Sequence, residues 1–332
     1  MNKDFLSIDD IDKNDLIEIL DISARLKKGM FTSNILEGTH IACVFEKPST
    51  RTRMSLEVSI KMLGGCPMML DTQQMQVSRG ECIIDTAKVM EKYVDAVIAR
   101  VFHHDTLKLL AKNTRMPIVN SLSDFEHPLQ ALADALTIIE KSPDRKLEKN
   151  NITVMYVGDF NNVARSLFKV CKLLDFNFIA HTPNPPVDEI VTFKGLNRFV
   201  NYSRRSKGKY LFCRANDLAW KQKPDFIYTD TWVSMGEEKD SKDKKMTLSG
   251  YAINRDYLKH FKEKPKFMHC LPAHIGEEVS EEVIHSKDSI IYDQAENRLW
   301  TSMGLLVYLF KNYEEKCLFL EDCNEKNIIS SG

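Results

Sequence analysis

The sequence predicts an α/β fold of two domains, each a mainly parallel sheet flanked by helices. Apolar runs of strand length alternate with amphipathic stretches of helix length, which is the pattern of parallel α/β units. The chain has 332 residues, which is enough for about two domains of ordinary size. A polar, charged segment at 141–151 precedes a new apolar strand, so we place the first domain at 1–145 and the second from 146 onward.

The first half of the chain contains four predicted strands and four predicted helices. The strands are His40–Phe45, Pro67–Leu70, Ala96–Val101 and Pro117–Leu122. The helices between and after them are Ser55–Leu63, Ile84–Tyr93, Thr106–Lys112 and Leu129–Lys141. This alternation is the basis for predicting a parallel sheet in the first domain.

The second half repeats the alternation with shorter strands. The predicted strands are Ile152–Val157, Phe178–His181, Tyr210–Cys213, Phe226–Tyr228 and Phe267–His269. The helix after the first of them has an apolar stripe with a helical period, formed by Val163, Leu167, Val170, Cys171 and Leu174. Open parallel sheets bind ligands at the carboxyl ends of their strands, so functional residues are expected there.

The composition excludes several classes of protein. The chain has 46 Lys and Arg against 47 Asp and Glu, a net charge of −1, so it lacks the basic excess that nucleic acid and anionic membranes require. None of the eight cysteines forms a CxxC pair, so no zinc knuckle is predicted. The acidic N-terminus lacks a signal-peptide core, and uncharged stretches of about a dozen residues are shorter than a membrane span. We therefore expect a cytoplasmic protein without metal, nucleic acid or membrane.

The segment Lys47–Arg53 follows the first strand and opens a helix. Backbone N–H groups at a helix start, short hydroxyls and guanidinium groups together suit a phosphate. The glycines of a Walker A loop are absent. The alternative is ordinary Ser/Thr capping with two surface arginines. Two arginines and three hydroxyls in five residues favour an anion site.

His127 and Gln130 begin the helix after the strand PIVNSL. Three positions apart on a first turn, they can both reach one carbonyl oxygen. The alternative is a capping histidine with a solvated glutamine.

Asp230 ends another strand, where it suits a ligand ammonium, although a helix-capping Asp is the commoner occupant of such a position. The loop after Gly236 is rich in charge and suits either a lid or an ordinary solvated loop.

Cys270 lies beside His269, which suggests a Cys/His nucleophile. Because neighbouring residues in a strand point to opposite faces, His269 is badly placed to be the base, and a buried structural cysteine is the alternative.

Gly158 stands alone where a dinucleotide fold needs GxGxxG, so no nicotinamide cofactor is expected.

Taken together, these segments closely resemble the ornithine carbamoyltransferases. The motifs that carry the resemblance are FEKPSTRTR (45–53), HPLQALAD (127–134), DTWVSMG (230–236), HCLPAH (269–274) and AENRL (295–299). They stand in the order and spacing of that family, and the similarity covers nearly the whole chain, from Phe5 to Phe310. The chain departs from the family at Ile275, where many relatives carry Arg, and in a longer tail after Lys311.

The resemblance implies a carbamoyl-phosphate-binding domain at 1–145 and an ornithine-binding domain at 146–300. A C-terminal helix within 301–332 would return to the first domain and be followed by a tail. The active site would lie in the cleft between the domains, near a subunit interface of a homotrimer. No metal or organic cofactor is implied, and the pathway would be arginine biosynthesis, although the sequence leaves the physiological direction open.

The resemblance also assigns roles to residues. The implied carbamoyl-phosphate ligands are Ser49, Thr50, Arg51, Thr52, Gln76, Arg100, His127, Gln130, Cys270, Leu271 and Arg298. The implied L-ornithine ligands are Asn162, Asp230, Ser234 and Met235. The implied catalytic residues are Arg51, His127, Gln130, Asp230 and Cys270.

The chemistry expected at these residues is direct attack of a neutral amine on the carbonyl carbon of carbamoyl phosphate. Arg51, His127 and Gln130 would stabilise the developing oxyanion, and Cys270 would orient the amine together with Asp230 rather than act as a nucleophile. We also expect most of Arg51, Arg53, Arg100 and Arg298, with His127, to converge on one phosphate. The alternatives within this fold are putrescine, aspartate and N-acetylornithine carbamoyltransferases and an inactive binding subunit. A thiol hydrolase built on Cys270 is a further alternative.

Overall fold

The structure is a computed structural model that describes residues 4–143, 151–184, 198–201, 209–213, 222–233 and 241–311. Among these, residues up to Leu136 and from Glu296 onward form one compact unit, and Thr137–Ala295 form a second. The predicted domain limits, 1–145, 146–300 and 301–332, differ from this division and remain predictions. The chain passes from one unit to the other inside two helices, Pro128–Lys141 and Ile291–Phe310.

The first unit is built on a four-stranded parallel sheet. Its strands are β1 His40–Phe45, β2 Cys66–Asp71, β3 Ala96–Arg100 and β4 Ile118–Leu122, in the spatial order β2-β1-β3-β4. The helices are α1 Lys13–Lys27, α2 Thr50–Met62, α3 Ile83–Met90, α4 His104–Asn113 and the first part of α5 Pro128–Lys141. Short 3₁₀ turns occur at Ile8–Asp10, Thr72–Gln74 and Gln76–Arg79.

The second unit contains a six-stranded sheet. Its strands are β5 Thr153–Val157, β6 Asn177–His181, β7 Arg198–Asn201, β8 Tyr210–Cys213, β9 Phe226–Thr229 and β10 Lys266–His269. The order is β10-β9-β5-β6-β8-β7, with β7 antiparallel to β8 and the other pairs parallel. The helices are α6 Asn162–Leu173, α7 Ser241–Leu248, α8 Arg255–Leu258, α9 Glu281–Ile284 and the first part of α10 Ile291–Phe310, whose remainder belongs to the first unit. A 3₁₀ turn lies at Ser249–Tyr251.

The buried faces explain why these segments form strands. Every residue of β3 is buried, and only the first residue of β1 is exposed, as expected for strands of a parallel sheet covered on both sides. In the second unit Met155, Ile227 and Phe267 pack in one core, each from a different strand. The two-domain α/β fold predicted from the alternation is therefore confirmed.

The predicted strands agree with the structure to within one residue at each end. The helices agree less well, because α2 begins at Thr50, five residues before the predicted start at Ser55. Helices α1, α7, α8 and α9 and strand β7 were not predicted. The expectation of a loop after Gly236 was wrong for Ser241–Leu248, which forms helix α7. The signals for α1 are present in the sequence, since Asp12 caps it in a capping box with Asp15 and its apolar residues lie on one buried face.

The C-terminal helix α10 begins at Ile291, ten residues before the predicted 301. Within the first unit, Gly304 of α10 lies directly against α1. A Cβ atom built at Gly304 would lie 2.7 Å from the carbonyl oxygen of Ile19 and closer still to Oγ of Ser23. Only glycine allows this close approach of the two helices. Among the helices of the described residues, none is long and apolar enough to span a membrane.

Candidate active site

In the first unit the candidate site begins where β1 passes into α2. Ser49 is extended (φ −160°, ψ 119°) and its side chain makes no capping hydrogen bond, so α2 starts with backbone N–H groups that the Ser49 hydroxyl does not satisfy. Free N–H groups and the helix dipole favour an anion at such a start. A cavity of about 270 Å³ lies here, and Ser49 and Thr50 belong to its lining. Glu46 and Asp71 also line this cavity, and the anion-binding turn stays a prediction.

Two cations flank this cavity, and both are placed by aromatic rings. The guanidinium carbon of Arg53 lies 5.9 Å from the centroid of the Phe45 ring. Lys47 Nζ lies 4.5 Å from the centroid of the Phe102 ring. Arg53 and Lys47 both line the cavity. Arg51 is half-buried in the first turn of α2 and is not among the lining residues.

Arg298 connects two other predicted site residues of the first unit, Thr52 and Gln130. Its Nη2 donates to Oγ1 of Thr52 at 2.9 Å, and its Nη1 donates to Oε1 of Gln130 at 2.6 Å. Gln130 in turn donates from Nε2 to Oδ1 of Asp134 at 2.8 Å. All four side chains are buried, so these bonds hold the guanidinium in a fixed orientation.

His127 is buried next to this network, immediately before Pro128 at the start of α5. Burial is the main cause that lowers its pKa well below the ordinary value of 6.5, and the positive charges of Arg298 and Arg100 lower it further. Its imidazole is therefore neutral at pH 7 and can donate one hydrogen bond. Arg100 is itself buried at the end of β3. The structure thus brings together His127, Arg100 and Arg298, which come from distant parts of the sequence.

Gln76 lies apart from this group. It is exposed and begins the 3₁₀ turn Gln76–Arg79, whose left-handed end is Gly80. Its predicted role, as a ligand reaching a neighbouring subunit's site, requires a second chain. Gln76 therefore stays a prediction.

In the second unit the candidate site forms at the ends of two neighbouring strands. Asp230 directly follows β9, Cys270 directly follows β10, and the two strands pair in parallel. Cys270 Sγ donates to Oδ1 of Asp230 at 2.9 Å. Asp230 is buried and Cys270 is half-buried, so the pair has one open side. The two residues are thus in contact, and their joint role in orienting an amine stays a prediction.

His269 does not serve Cys270 as a base. Its Nδ1 accepts the backbone N–H of Leu271 at 2.8 Å, and its Nε2 lies 3.3 Å from Oε1 of the buried Glu278. The first bond makes Nε2 the protonated nitrogen, which points at Glu278. Leu271 has φ +58°, a left-handed conformation that costs a non-glycine residue about 1 kcal/mol, and this hydrogen bond helps to hold it. Both nitrogens of His269 are thus engaged away from the thiol.

The predicted ornithine ligands are only partly described. Asn162 is half-buried and is the first residue of α6. Ser234 and Met235 lie outside the described residues. The residue before Asn162, Asn161, was not predicted, yet its Nδ2 donates to Oδ2 of Asp230 at 2.7 Å. An asparagine immediately before a helix is a capping signal, and that signal could have drawn attention to it.

Within the part of the chain that the structure describes, two groups of side chains have the composition of metal sites. Asp230, His269 and Cys270 form one group, and His274, Glu277 and Glu278 form the other, with potential ligand atoms within 4.8 Å of one another. In the first, both nitrogens of His269 already make contacts. In the second, Lys245 Nζ lies 2.5 Å from Oε1 of Glu277 and already supplies a cation. We assign no metal to either group.

Comparison with known proteins gives a consistent result. Residues 3–140 match the family described as "Aspartate/ornithine carbamoyltransferase, carbamoyl-P binding domain", and residues 150–309 match its "Asp/Orn binding domain". The anabolic ornithine carbamoyltransferase of Pyrococcus furiosus is 40% identical over 309 residues, which cover 92% of this chain and 95% of that protein. The catabolic one of Thermoplasma volcanium is 39% identical over 311 residues, covering 92% and 98%.

A solved structure shows the same similarity in three dimensions. The ornithine carbamoyltransferase structure from Pyrococcus furiosus superposes with a TM-score of 0.80 at 38% identity, covering 92% of this chain and 96% of that one. The matched regions contain every motif described above, and the two family matches coincide broadly with the two compact units.

Proposed function

The chain belongs to the aspartate/ornithine carbamoyltransferase family, and from this membership we propose that it is an ornithine carbamoyltransferase. It transfers the carbamoyl group of carbamoyl phosphate to the side-chain amine of L-ornithine, giving L-citrulline and phosphate. The observation that carries the choice of acceptor is Asp230, a buried carboxylate in the unit that matches the Asp/Orn binding domain. It attracts the α-ammonium group of ornithine and repels the second carboxylate of aspartate.

Carbamoyl phosphate binds in the first unit under this proposal. The N–H groups at the start of α2, with Ser49, Thr50, Arg51 and Thr52, hold its phosphate, and the support is a cavity at that position whose lining includes Ser49 and Thr50. Arg100 and Arg298 add positive charge near His127. Arg53 lines the cavity and adds a further cation. An overall neutral chain thus concentrates its cations around a small anion.

The carbonyl oxygen of carbamoyl phosphate lies at His127, Gln130 and Arg51 in this mechanism. A neutral imidazole donates a hydrogen bond to an oxygen on which negative charge develops during the attack. Gln130 is held between Arg298 and Asp134, so it is fixed before the substrate arrives. Donors fixed in advance need no reorganisation in the transition state.

Ornithine binds in the second unit through Asn162, Asp230, Ser234 and Met235. Cys270 and Leu271, at the end of β10, contact both substrates, and Cys270 with Asp230 orients the amine. The neutral amine attacks the carbonyl carbon, a C–N bond forms, and the bond to the phosphate oxygen breaks. The proton of the amine leaves with the phosphate, and no covalent enzyme intermediate forms. Orientation of the two substrates supplies the remaining large contribution to the rate.

The proposed limits are 1–145 for the carbamoyl-phosphate domain and 146–300 for the ornithine domain. The support is that each substrate's proposed ligands fall within the matching family domain, with the exception of Arg298, Cys270 and Leu271. Cys270 and Leu271 serve both substrates. Arg298 belongs by contact to the first unit, although it follows the second in sequence.

We propose that the protein is a homotrimer in which Gln76 reaches the site of a neighbouring subunit. The support is an apolar stripe on the exposed face of α2, formed by Met54, Val58 and Met62 at four-residue spacing. Exposed apolar stripes of this kind mark protein interfaces. The Gln76→Ala and Arg298→Ala proteins should each be inactive alone. If subunits share sites, mixing the two proteins should restore activity, because some sites then combine an intact Gln76 with an intact Arg298. A monomer by light scattering would contradict the proposal.

The proposed location is the cytoplasm, in arginine biosynthesis. The cysteines that the structure describes are free thiols, which suits a reducing compartment. Because both an anabolic and a catabolic enzyme are similar to this chain, the direction is decided by kinetics rather than by resemblance. Comparing the rates of citrulline formation and phosphorolysis with the purified protein tests it.

The function is tested by supplying carbamoyl phosphate with ornithine, putrescine, aspartate or N-acetylornithine. Of these four acceptors, we expect only ornithine to give a ureido product together with phosphate release. Putrescine lacks the carboxylate of ornithine, and acetylation masks the charge that Asp230 attracts. Failure to form citrulline would overturn the proposed function, and product formation with another acceptor would identify the alternative.

A further inference from the structure

Asn161 lies between strand β5 and helix α6 and makes two kinds of hydrogen bond. Its Oδ1 accepts the backbone N–H groups of Val163 at 3.0 Å and Ala164 at 3.1 Å, so it caps the helix. Its Nδ2 donates to Oδ2 of Asp230 at 2.7 Å. One side chain therefore connects the start of α6 to the carboxylate proposed to bind ornithine.

The orientation of the Asn161 amide is determined by its surroundings. The hydroxyl of Tyr156 lies 3.4 Å from Oδ1, on the same side as the two helix N–H groups. Burial is the main cause that raises the pKa of Tyr156 well above 10, so its hydroxyl remains a donor. Because three donors converge on one end of the amide, that end is the oxygen. The –NH₂ group must then face Asp230.

The two oxygens of Asp230 have different partners as a result. Oδ2 accepts from Asn161, while Oδ1 accepts the N–H of Thr231 at 2.8 Å and the thiol of Cys270 at 2.9 Å. A carboxylate with donors on both oxygens cannot rotate about its terminal bond without breaking them. Asn161 is neutral, so it fixes the carboxylate without cancelling the negative charge that an ammonium group needs.

We propose that Asn161 is a positioning residue for the acceptor half of the reaction. It acts through Asp230, and the inference rests on the proposed function because Asp230 is there the ligand of ornithine. Asn161 holds the Asp230 carboxylate in the orientation in which one carboxylate oxygen faces the thiol of Cys270. Its effect should therefore appear with ornithine and not with carbamoyl phosphate.

The substitution Asn161→Asp separates this role from helix capping. Asp caps helices about as well as Asn, but it replaces the donor by a second carboxylate facing Asp230. We expect kcat/KM for ornithine to fall by about tenfold or more at pH 8, with KM for carbamoyl phosphate unchanged. The deficit should shrink as the pH falls, because two adjacent carboxyls share a proton and the protonated one donates a hydrogen bond again.

Two further variants serve as controls. Asn161→Ser keeps a capping oxygen and adds no charge, so it should lower kcat/KM for ornithine without the pH dependence. Asn254→Asp changes another capping asparagine of the same unit, whose Oδ1 accepts the N–H of Tyr257 at 2.9 Å. Asn254→Asp should keep wild-type kinetics. Its thermal midpoint shows how much stability is lost when a capping asparagine is replaced by aspartate.

A readout independent of turnover is the alkylation of Cys270 by iodoacetamide, followed on its peptide by mass spectrometry. Asn161→Asp should slow it, because added negative charge disfavours the thiolate. This result stands even if the wild type makes no citrulline, which would refute only the proposed function. Wild-type ornithine kinetics in both Asn161 variants would overturn the positioning role. The positioning role would also be overturned if kcat/KM fell equally for ornithine and carbamoyl phosphate, in proportion to the drop in thermal midpoint. Such a result would leave helix capping as the only role of Asn161.

Discussion

Arg298 donates a hydrogen bond from Nη2 to Oγ1 of Thr52 at 2.9 Å, although the two residues are 246 positions apart. The bond joins helix α10 to the first turn of α2, where the cavity lies. The same guanidinium holds Gln130 at 2.6 Å. The C-terminal helix therefore supplies the group that fixes the orientation of two residues proposed to bind carbamoyl phosphate.

Replacing Arg298 by Lys should raise KM for carbamoyl phosphate by about tenfold or more, since a single ammonium cannot make both bonds of the guanidinium fork. Arg298→Ala should also destabilise the protein by about 2–3 kcal/mol, because it leaves Thr52 and Gln130 without this donor. Steady-state kinetics and urea denaturation measure the two effects. Arg255→Lys, at an exposed arginine paired with Glu282, is the matched control and should change neither.

Replacing His127 by Ala should lower kcat by about 100- to 1,000-fold, the usual effect of removing one donor to a developing oxyanion. Because the donor acts mainly in the transition state, KM should change much less. His285→Ala, at an exposed histidine, should behave as the wild type. An unchanged kcat in His127→Ala would show that the carbonyl oxygen lies elsewhere.

The depressed pKa of His127 predicts a loss of stability in acid. Its imidazole stays neutral in the folded protein, whereas in the unfolded chain it takes up a proton below a pH of about 6.5. The unfolded state then binds more protons, so stability falls as the pH is lowered. Between pH 7 and pH 5 this histidine should account for about 2 kcal/mol. The measurement is the free energy of unfolding of the wild type minus that of His127→Gln at each pH, and a constant difference would contradict it.

Replacing Cys270 by Ser should leave substantial turnover. A hydroxyl can still donate to Asp230, as the thiol does at 2.9 Å, and the mechanism forms no bond to sulfur. Rapid quench and mass spectrometry of the wild type with carbamoyl phosphate should show no adduct. A trapped carbamoyl thioester on Cys270 would refute direct transfer.

Replacing Gly304 by Ala should destabilise the protein by about 1–3 kcal/mol, the usual cost of overpacking. The new methyl group would lie 2.7 Å from the carbonyl oxygen of Ile19, and backbone cannot be repacked as a side chain can. Gly250→Ala is the matched control, since a Cβ there meets nothing within 4 Å. Thermal unfolding of the two variants measures the difference. An equal effect at both positions would contradict the close contact of α10 with α1.

Repeating patterns in the sequence predicted the strands well, whereas contacts made by a single side chain could not be predicted from it. The strands were found because an apolar run in a parallel sheet is buried on both faces, as all of β3 is. Asn161 was missed because its capping role is visible in sequence, whereas its bond to Asp230 joins residues 69 positions apart. Arg53, rather than Arg51, lines the cavity at the start of α2, and no periodicity distinguishes the two arginines.

The sequence by itself determined the alternating α/β pattern, the two-domain fold and the motifs that identify the family, because these depend on local spacing and residue type. Only the tertiary structure decided which side chains meet. It placed Arg298 on Thr52 and Gln130, joined Asp230 to Cys270 and Asn161, and buried His127 among positive charges. The physical reason is that hydrogen-bond distance and desolvation depend on neighbours in space, and parallel strands bring residues distant in sequence to the same sheet edge.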